Sequence, residues 1–199
     1  MPSFIIPAAP VLVSAPPTGP EWLHEVKWDG WRIQIIKDDG VRIYSRTQTD
    51  LTDRLKGIAE AAEALNARSF VLDAELIATN FYDIPAAIKR GEVSAIAFDI
   101  MERNTNDLRR EPLIKRKVAL KKLIKLSPCL RLADIYPDGE KLLAGAAELG
   151  LEGIVSKKRD GTYVSGKCLS WLKMKTAVWR EANKHRGELF TRKRAVWRN

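Results

Sequence analysis

Residues 25–32 read Glu25-Val26-Lys27-Trp28-Asp29-Gly30-Trp31-Arg32, which sets a lysine two residues ahead of an Asp-Gly turn and five ahead of an arginine. Aromatic residues fill the gaps, and an apolar, strand-like run follows in Ile33, Ile35 and Ile36. The arrangement can hold one amine rigidly beside a cation suited to phosphate. A lysine desolvated among other cations loses its proton and can attack, which makes Lys27 a candidate covalent nucleophile. The plain alternative is a hairpin end, because Asp-Gly is an ordinary turn signal.

Outward from this stretch, strands and helices mix without strict alternation. Residues 7–20 carry five prolines (Pro7, Pro10, Pro16, Pro17, Pro20) and are expected to run extended across a surface. Trp22–Val26 alternates like a strand. Ile33 and Ile35, then Val41 and Ile43, flank Lys37-Asp38-Asp39-Gly40, a hairpin signal. Thr52 is expected to cap a helix over Asp53–Ala67, with Leu55, Ile58, Ala62 and Leu65 on one face. Phe70–Ala78, Val93–Ile100, Leu130–Ile135, Gly153–Lys158 and Trp171–Lys175 read as strands. Pro112–Ile124 reads as a helix with a lysine-rich outer face, and residues 138–149 as a helix stopped by Gly150. The hairpins favour an α+β fold with largely antiparallel sheets flanked by helices over a doubly wound parallel sheet.

The chain has 199 residues, enough for one domain with a sizeable core or one domain and a tail. With 45% hydrophobic and 30% charged residues it matches soluble globular proteins, and no apolar run approaches a membrane span. Residues 1–7 lack the basic and long apolar regions of a signal peptide. Cys129 and Cys168 lie far apart without metal-ligand spacing, so reduced thiols in a cytoplasmic protein are expected. Having only His24 and His185 disfavours histidine triads and multi-histidine zinc sites. The formal charge of +9 favours a polyanionic partner, most simply nucleic acid. Between residues 180 and 199, Arg180, Lys184, Arg186, Arg192, Lys193, Arg194 and Arg198 outnumber Glu181 and Glu188. A solvated tail and a phosphate-backbone contact both explain that excess.

Six segments come in a telling order: Glu25–Arg32, Tyr44-Ser45-Arg46, Val71-Leu72-Asp73-Ala74-Glu75, Ala97-Phe98-Asp99-Ile100, Leu151–Lys157 and Trp171-Leu172-Lys173-Met174-Lys175. Together they resemble the adenylation domain of an ATP-dependent DNA ligase, nearest to the bacterial end-joining type. The resemblance covers nearly the whole chain and implies the nucleotidyltransferase fold shared by ligases and capping enzymes. It makes Lys27 the nucleophile that attacks the α-phosphorus of ATP to form lysyl-AMP, which passes to a 5′-phosphate at a DNA nick or end for sealing in repair. It places Arg32, Lys173 and Lys175 near the phosphates, where they would also disfavour the ammonium form of Lys27. Alternation separately puts Lys173 and Lys175 on one face of a strand, as an exposed edge strand would also do.

The resemblance further implies that Glu25 lies near the adenine amino group, that Arg46 helps bind AMP, and that Phe98 stacks on the base. It makes Glu152 a ligand of Mg²⁺ (or Mn²⁺), and Glu75 a contact of the metal or ribose. Read alone, Phe98 could be a core residue and Glu75 half of a buried ion pair. Two departures stand out. Thr47-Gln48 follows Arg46 where the family often has Asn-Gly, and Ala74 replaces a usual glycine.

Gly161–Cys168 has the spacing of a phosphate-binding loop, but Cys168 lacks the final hydroxyl and a strand follows it, so a turn is expected. The expected layout is a proline-rich segment over 1–20 packing on the domain, an adenylation domain over 21–179 and a basic tail over 180–199. No OB-fold domain is expected before Asn199, so an OB-fold or end-joining partner would complement it. Nicked or broken double-stranded DNA is the expected acceptor, with no membrane contact and a monomeric state. An RNA ligase or capping-type nucleotidyltransferase is the enzymatic rival; a non-catalytic DNA-end-binding module is the other.

Overall fold

The computed structural model describes residues 2–125 and 127–185. Ten strands form two sheets. β1 (Ala8–Leu12), β2 (Trp22–Lys27), β9 (Gly153–Lys158) and β10 (Gly166–Lys175) make a four-stranded sheet in the order β1-β10-β9-β2. β3 (Trp31–Asp38), β4 (Gly40–Ser45), β5 (Phe70–Ile77), β6 (Ser94–Arg103) and β7 (Asn106–Asp107) run in the order β4-β3-β5-β6-β7, with β8 (Leu130–Leu132) also on β6. Only β1–β10 and β6–β8 pair in parallel among the described strands. The expected α+β class with mainly antiparallel sheets is what the molecule shows.

Helices α1 (Lys56–Glu63), α2 (Ile84–Arg90) and α3 (Leu113–Leu123) cover one face of the larger sheet. Their apolar side chains, Ile58, Ala62, Ile84, Ile88, Leu120 and Leu123, join Ile33, Ile35, Phe70, Leu72 and Ile100 in the main core. α4 (Gly139–Glu148) covers the smaller sheet through Ala146 against Ile154 and Met174. Between the sheets, Ile36, Val71 and Met101 meet Ile5, Ala8, Tyr163, Cys168 and Trp171. The short α5 (Ala177–Ala182) follows β10. No helix among the described residues is long and apolar enough to cross a membrane.

One local expectation needs correction and two need extending. Thr52 does not cap a long helix. Its Oγ1 accepts from the Ile43 amide at 2.9 Å and donates to Asp50 at 2.6 Å, so it fastens the end of β4 and the helix proper starts at Lys56. The proline-rich segment is more than a surface strap, because Ala8–Leu12 becomes a strand of the smaller sheet. α3 has the expected exposed lysines at Lys115, Lys121 and Lys122, and adds two buried cations, Arg116 and Lys117. The loop at Gly161–Cys168 is a turn that runs into β10, as expected. Of the basic tail, Arg186, Arg192, Lys193, Arg194 and Arg198 lie outside the described residues.

Candidate active site

The two sheets face each other across a cleft of about 720 Å³. Two glycines allow the backbone to close around it. A Cβ on Gly30 would lie 2.1 Å from the Leu76 carbonyl oxygen, so the turn after Lys27 packs directly on β5. Gly153, at φ +155°, leaves no room either: its Cβ would meet the Met174 oxygen at 1.9 Å. Each glycine sits next to a motif acid or lysine because strands must approach there without side chains between them.

Lys27 ends β2 and lines the cleft. Its Nζ lies 2.5 Å from Glu152 Oε2, and the other Glu152 oxygen is 3.0 Å from Lys175 Nζ. The lysine is therefore not simply surrounded by cations; an acid reaches it across the sheet. Lys175 also stands 3.9 Å over the Trp179 ring, whose indole donates to Asp29 at 3.1 Å. Lys173, two residues back on the same strand face, lines the cleft itself. Burial lowers its pKa, and Lys27 and Lys175 push the same way. Glu75, on β5, faces the cleft and is partly buried; desolvation raises its carboxyl to about 7, although Lys27 and Arg32 oppose the rise.

Arg32 has a partner within the protein. Its Nε and Nη2 grip the two Asp73 oxygens at 2.8 and 2.5 Å, and Nη1 donates to the Ala8 carbonyl. Tyr163 donates to Asp73 at 2.6 Å and accepts from the Ala8 amide at 3.0 Å. Burial raises the Tyr163 pKa far above the usual phenol range, with the Asp73 charge adding to it. This knot ties β1 to β3 and β5 and makes residues 7–10 a wall of the cleft.

Phe98 lines the cleft edge-on to Trp171, with ring centroids 6.1 Å apart. Glu25 is buried there between two lysines: Lys157 Nζ at 2.9 Å and Lys117 Nζ at 2.5 Å. Lys157 sits over the Phe98 and Trp171 rings at 4.5 and 4.2 Å. Burial lowers its pKa to about 8, against the pull of Glu25 and with help from Lys117. Arg46 is exposed at the rim. The turn beyond it forms without Asn-Gly: Gln48 takes φ +63° and donates to the Ser45 carbonyl at 2.9 Å. Ala74 lies in regular strand pairing with Ile33 and carries no positive φ.

Every residue named from the sequence for the nucleotide and metal sites thus falls in or against one cleft, with Glu152 and Lys175 in the layer that holds Lys27. Sequence reasoning missed the roles of Asp73, Lys117, Lys157 and Trp171. Asp73 was findable, because Asp73 and Glu75 alternate on one face of a strand that is otherwise apolar. Lys117 was not: on a helix with several lysines, nothing local marks the one that turns inward.

The family model described as "ATP dependent DNA ligase domain" matches residues 15–175. The multifunctional non-homologous end joining protein LigD of Pseudomonas aeruginosa is 32% identical over 194 residues, covering 91% of this chain and 23% of its own length. DNA ligase B of Mycobacterium tuberculosis is 33% identical over 174 residues, covering 77% of this chain and 34% of its own. The solved structure of mycobacterial DNA ligase D complexed with ATP and MES matches with a TM-score of 0.74 at 25% identity, over 86% of this chain and 60% of that one. The chain spans 23% and 34% of the length of these two curated relatives.

Proposed function

This chain belongs to the ATP-dependent DNA ligase domain family, and we propose that its cleft binds ATP and that Lys27 takes AMP from it as a covalent lysyl-AMP. One observation carries this reading: Lys27, Lys173, Arg46 and Glu75 line a single cleft, and Glu152 Oε2 touches Lys27 Nζ at 2.5 Å. The Nζ lone pair attacks the α-phosphorus and an N–P bond forms. The bond from that phosphorus to the bridging oxygen breaks, and pyrophosphate leaves with the electron pair. The amine must first shed a proton, and Glu152 Oε2 is the acceptor already in contact. Lys175 on the other Glu152 oxygen keeps that carboxylate aimed. Lys173 and Arg46 supply positive charge to phosphate oxygens. Phe98 and Trp171 offer an aromatic wall to the base, and Glu25 an acceptor for its amino group.

The donor set suits Mg²⁺ or Mn²⁺, which take carboxylate, phosphate and water oxygens. Glu75 faces the cleft, where a divalent cation would add to the positive charge that Lys27 and Arg32 already set near it. Glu75 and Glu152 would hold the ion, which when bound neutralises phosphate charge. The acceptor we assign is the 5′-phosphate of nicked or broken double-stranded DNA, from which an adjacent 3′-hydroxyl displaces AMP. The formal charge of +9 supports that choice.

Intact mass spectrometry after incubation with ATP and Mg²⁺ should show the gain of one AMP, mapped to Lys27. No adduct on a protein that still binds broken DNA would instead make it an end-binding module. Preferential loading from GTP would make it a capping-type enzyme.

A further inference from the structure

Glu25 is the one carboxylate in the cleft wall that the described structure holds from two sides. Lys157 of β9 donates to Oε2, and the Lys117 ammonium of α3 stands 2.5 Å from Oε1 as an ion pair, with all three side chains 3% exposed. Glu25 and Lys157 line the cleft, whereas Lys117 stands behind them. Burying a second ammonium there is expensive, and an apolar residue would spare that cost. α3 uses leucines at its other buried positions, Leu113, Leu120 and Leu123, apart from Arg116. Arg116 is explained by its fork with Asp99, but Lys117 has no part in the main core. A carboxylate offers about four lone-pair directions. Two lysines behind it therefore still leave acceptor capacity toward the cleft.

We propose that Lys117 is a positioning residue for base selection, fixing Glu25 as a pure acceptor that prefers a purine bearing a 6-amino group over one bearing a 6-carbonyl. This rests on the cleft being the ATP site. A 6-amino group donates to the carboxylate. A 6-carbonyl would set acceptor against acceptor in a buried place, leaving the carbonyl without a donor from Glu25. Sites built to hydrogen-bond one group reject its counterpart far better than apolar pockets do. With Lys117 removed, Oε1 loses its partner, the carboxylate turns toward Lys157, and its aim at the base is lost.

The test compares loading of Lys27 from ATP and from inosine triphosphate, which differ at the purine 6-position and in the N1 proton that accompanies the 6-carbonyl. Single-turnover rates would be measured against nucleotide concentration for the wild type, Lys117→Met and Lys117→Arg. The wild type should prefer ATP. In Lys117→Met the half-saturating ATP concentration should rise about tenfold, that for inosine triphosphate should barely move, and the maximal rate should hold. Lys117→Arg should restore most of the preference. If Lys117→Met does not fold, Lys117→Gln, which keeps a donor without the charge, is read in the same way. An unchanged ATP preference in a folded, neutral variant overturns the role of Lys117. Equal loading of the wild type from both nucleotides overturns base selection by Glu25, with the ATP-site assignment intact. A wild type that loads from neither defeats that assignment itself and this inference with it.

Discussion

Two groups of buried charge in this molecule are built differently. In the scaffold, Arg116 grips both Asp99 oxygens at 2.9 Å and spends its Nη1 donors on the Glu111 and Gly161 carbonyls, with neither side chain exposed. In the cleft, Lys27 meets Glu152 through one contact, is 22% exposed, and shares that carboxylate with Lys175. A guanidinium never gives up its proton and locks in two places at once; an ammonium is a point charge that can titrate and change partners. Arginine therefore stands where charge must stay fixed, and Arg32 with Asp73 follows the same rule. At the position where a bond must form, the cation is a lysine.

The sharpest way to break this contrast is at Lys27. Lys27→Ala should remove AMP loading entirely, as read by intact mass. Its folding free energy should move by less than about 1 kcal/mol, since the pair is partly open to solvent and Lys175 still satisfies Glu152. A variant that still loads AMP would mean the nucleophile is another residue. The scaffold should answer in the opposite way. Asp99→Ala strands Arg116 without a counterion and should cost about 3–5 kcal/mol in urea unfolding. Replacing both partners with apolar residues, Asp99→Leu with Arg116→Met, should recover most of that loss. A single replacement costing no more than a surface pair would show that the fork is not structural.

The lysine side of the contrast was far more legible in the sequence than the arginine side. Lys27, Glu75, Glu152 and Lys173 sit in short motifs beside turns or on alternating strands, where period and order mark a face. The strand assignments held for the same reason, since Phe70–Ile77 and Gly153–Lys158 carry local alternation or apolar runs. Long-range pairings were hidden. Arg116 and Asp99 lie on different elements, and the sequence does not reveal which cation of α3 turns inward. Thr52 misled because a threonine ahead of an amphipathic stretch reads as a cap, while its hydroxyl is taken by β4. Parallel pairing of β1 with β10 joins residues some 160 positions apart, and proline content disguised it.

Lys175 refines the comparison without breaking it. Its ammonium lies over the Trp179 ring and holds the oxygen of Glu152 that Lys27 does not use. Lys175→Met should slow AMP loading about tenfold while shifting stability by less than about 1 kcal/mol. Lys175→Arg should keep the pair and most of the rate. If the methionine variant instead loses stability and keeps its rate, Lys175 belongs with the scaffold charges.

The smallest effect concerns titration, the property that separates the two cations. Burial holds the Lys157 amine at about 8, down from 10.5. Between those values the unfolded chain binds a proton that the folded chain does not, so unfolding free energy should rise with pH through that window. The gain vanishes below about pH 8, where both states are protonated. Urea midpoints of the wild type and Lys157→Met, followed from about pH 8 to about pH 9, should diverge by up to about 1 kcal/mol in favour of the wild type. A matched comparison of wild type with Arg116→Met should show no such divergence, because a guanidinium stays charged in both states throughout this range. Parallel curves for Lys157→Met would mean that its amine keeps its proton like an arginine, and the division between fixed and exchangeable charge would not extend to the base-facing wall.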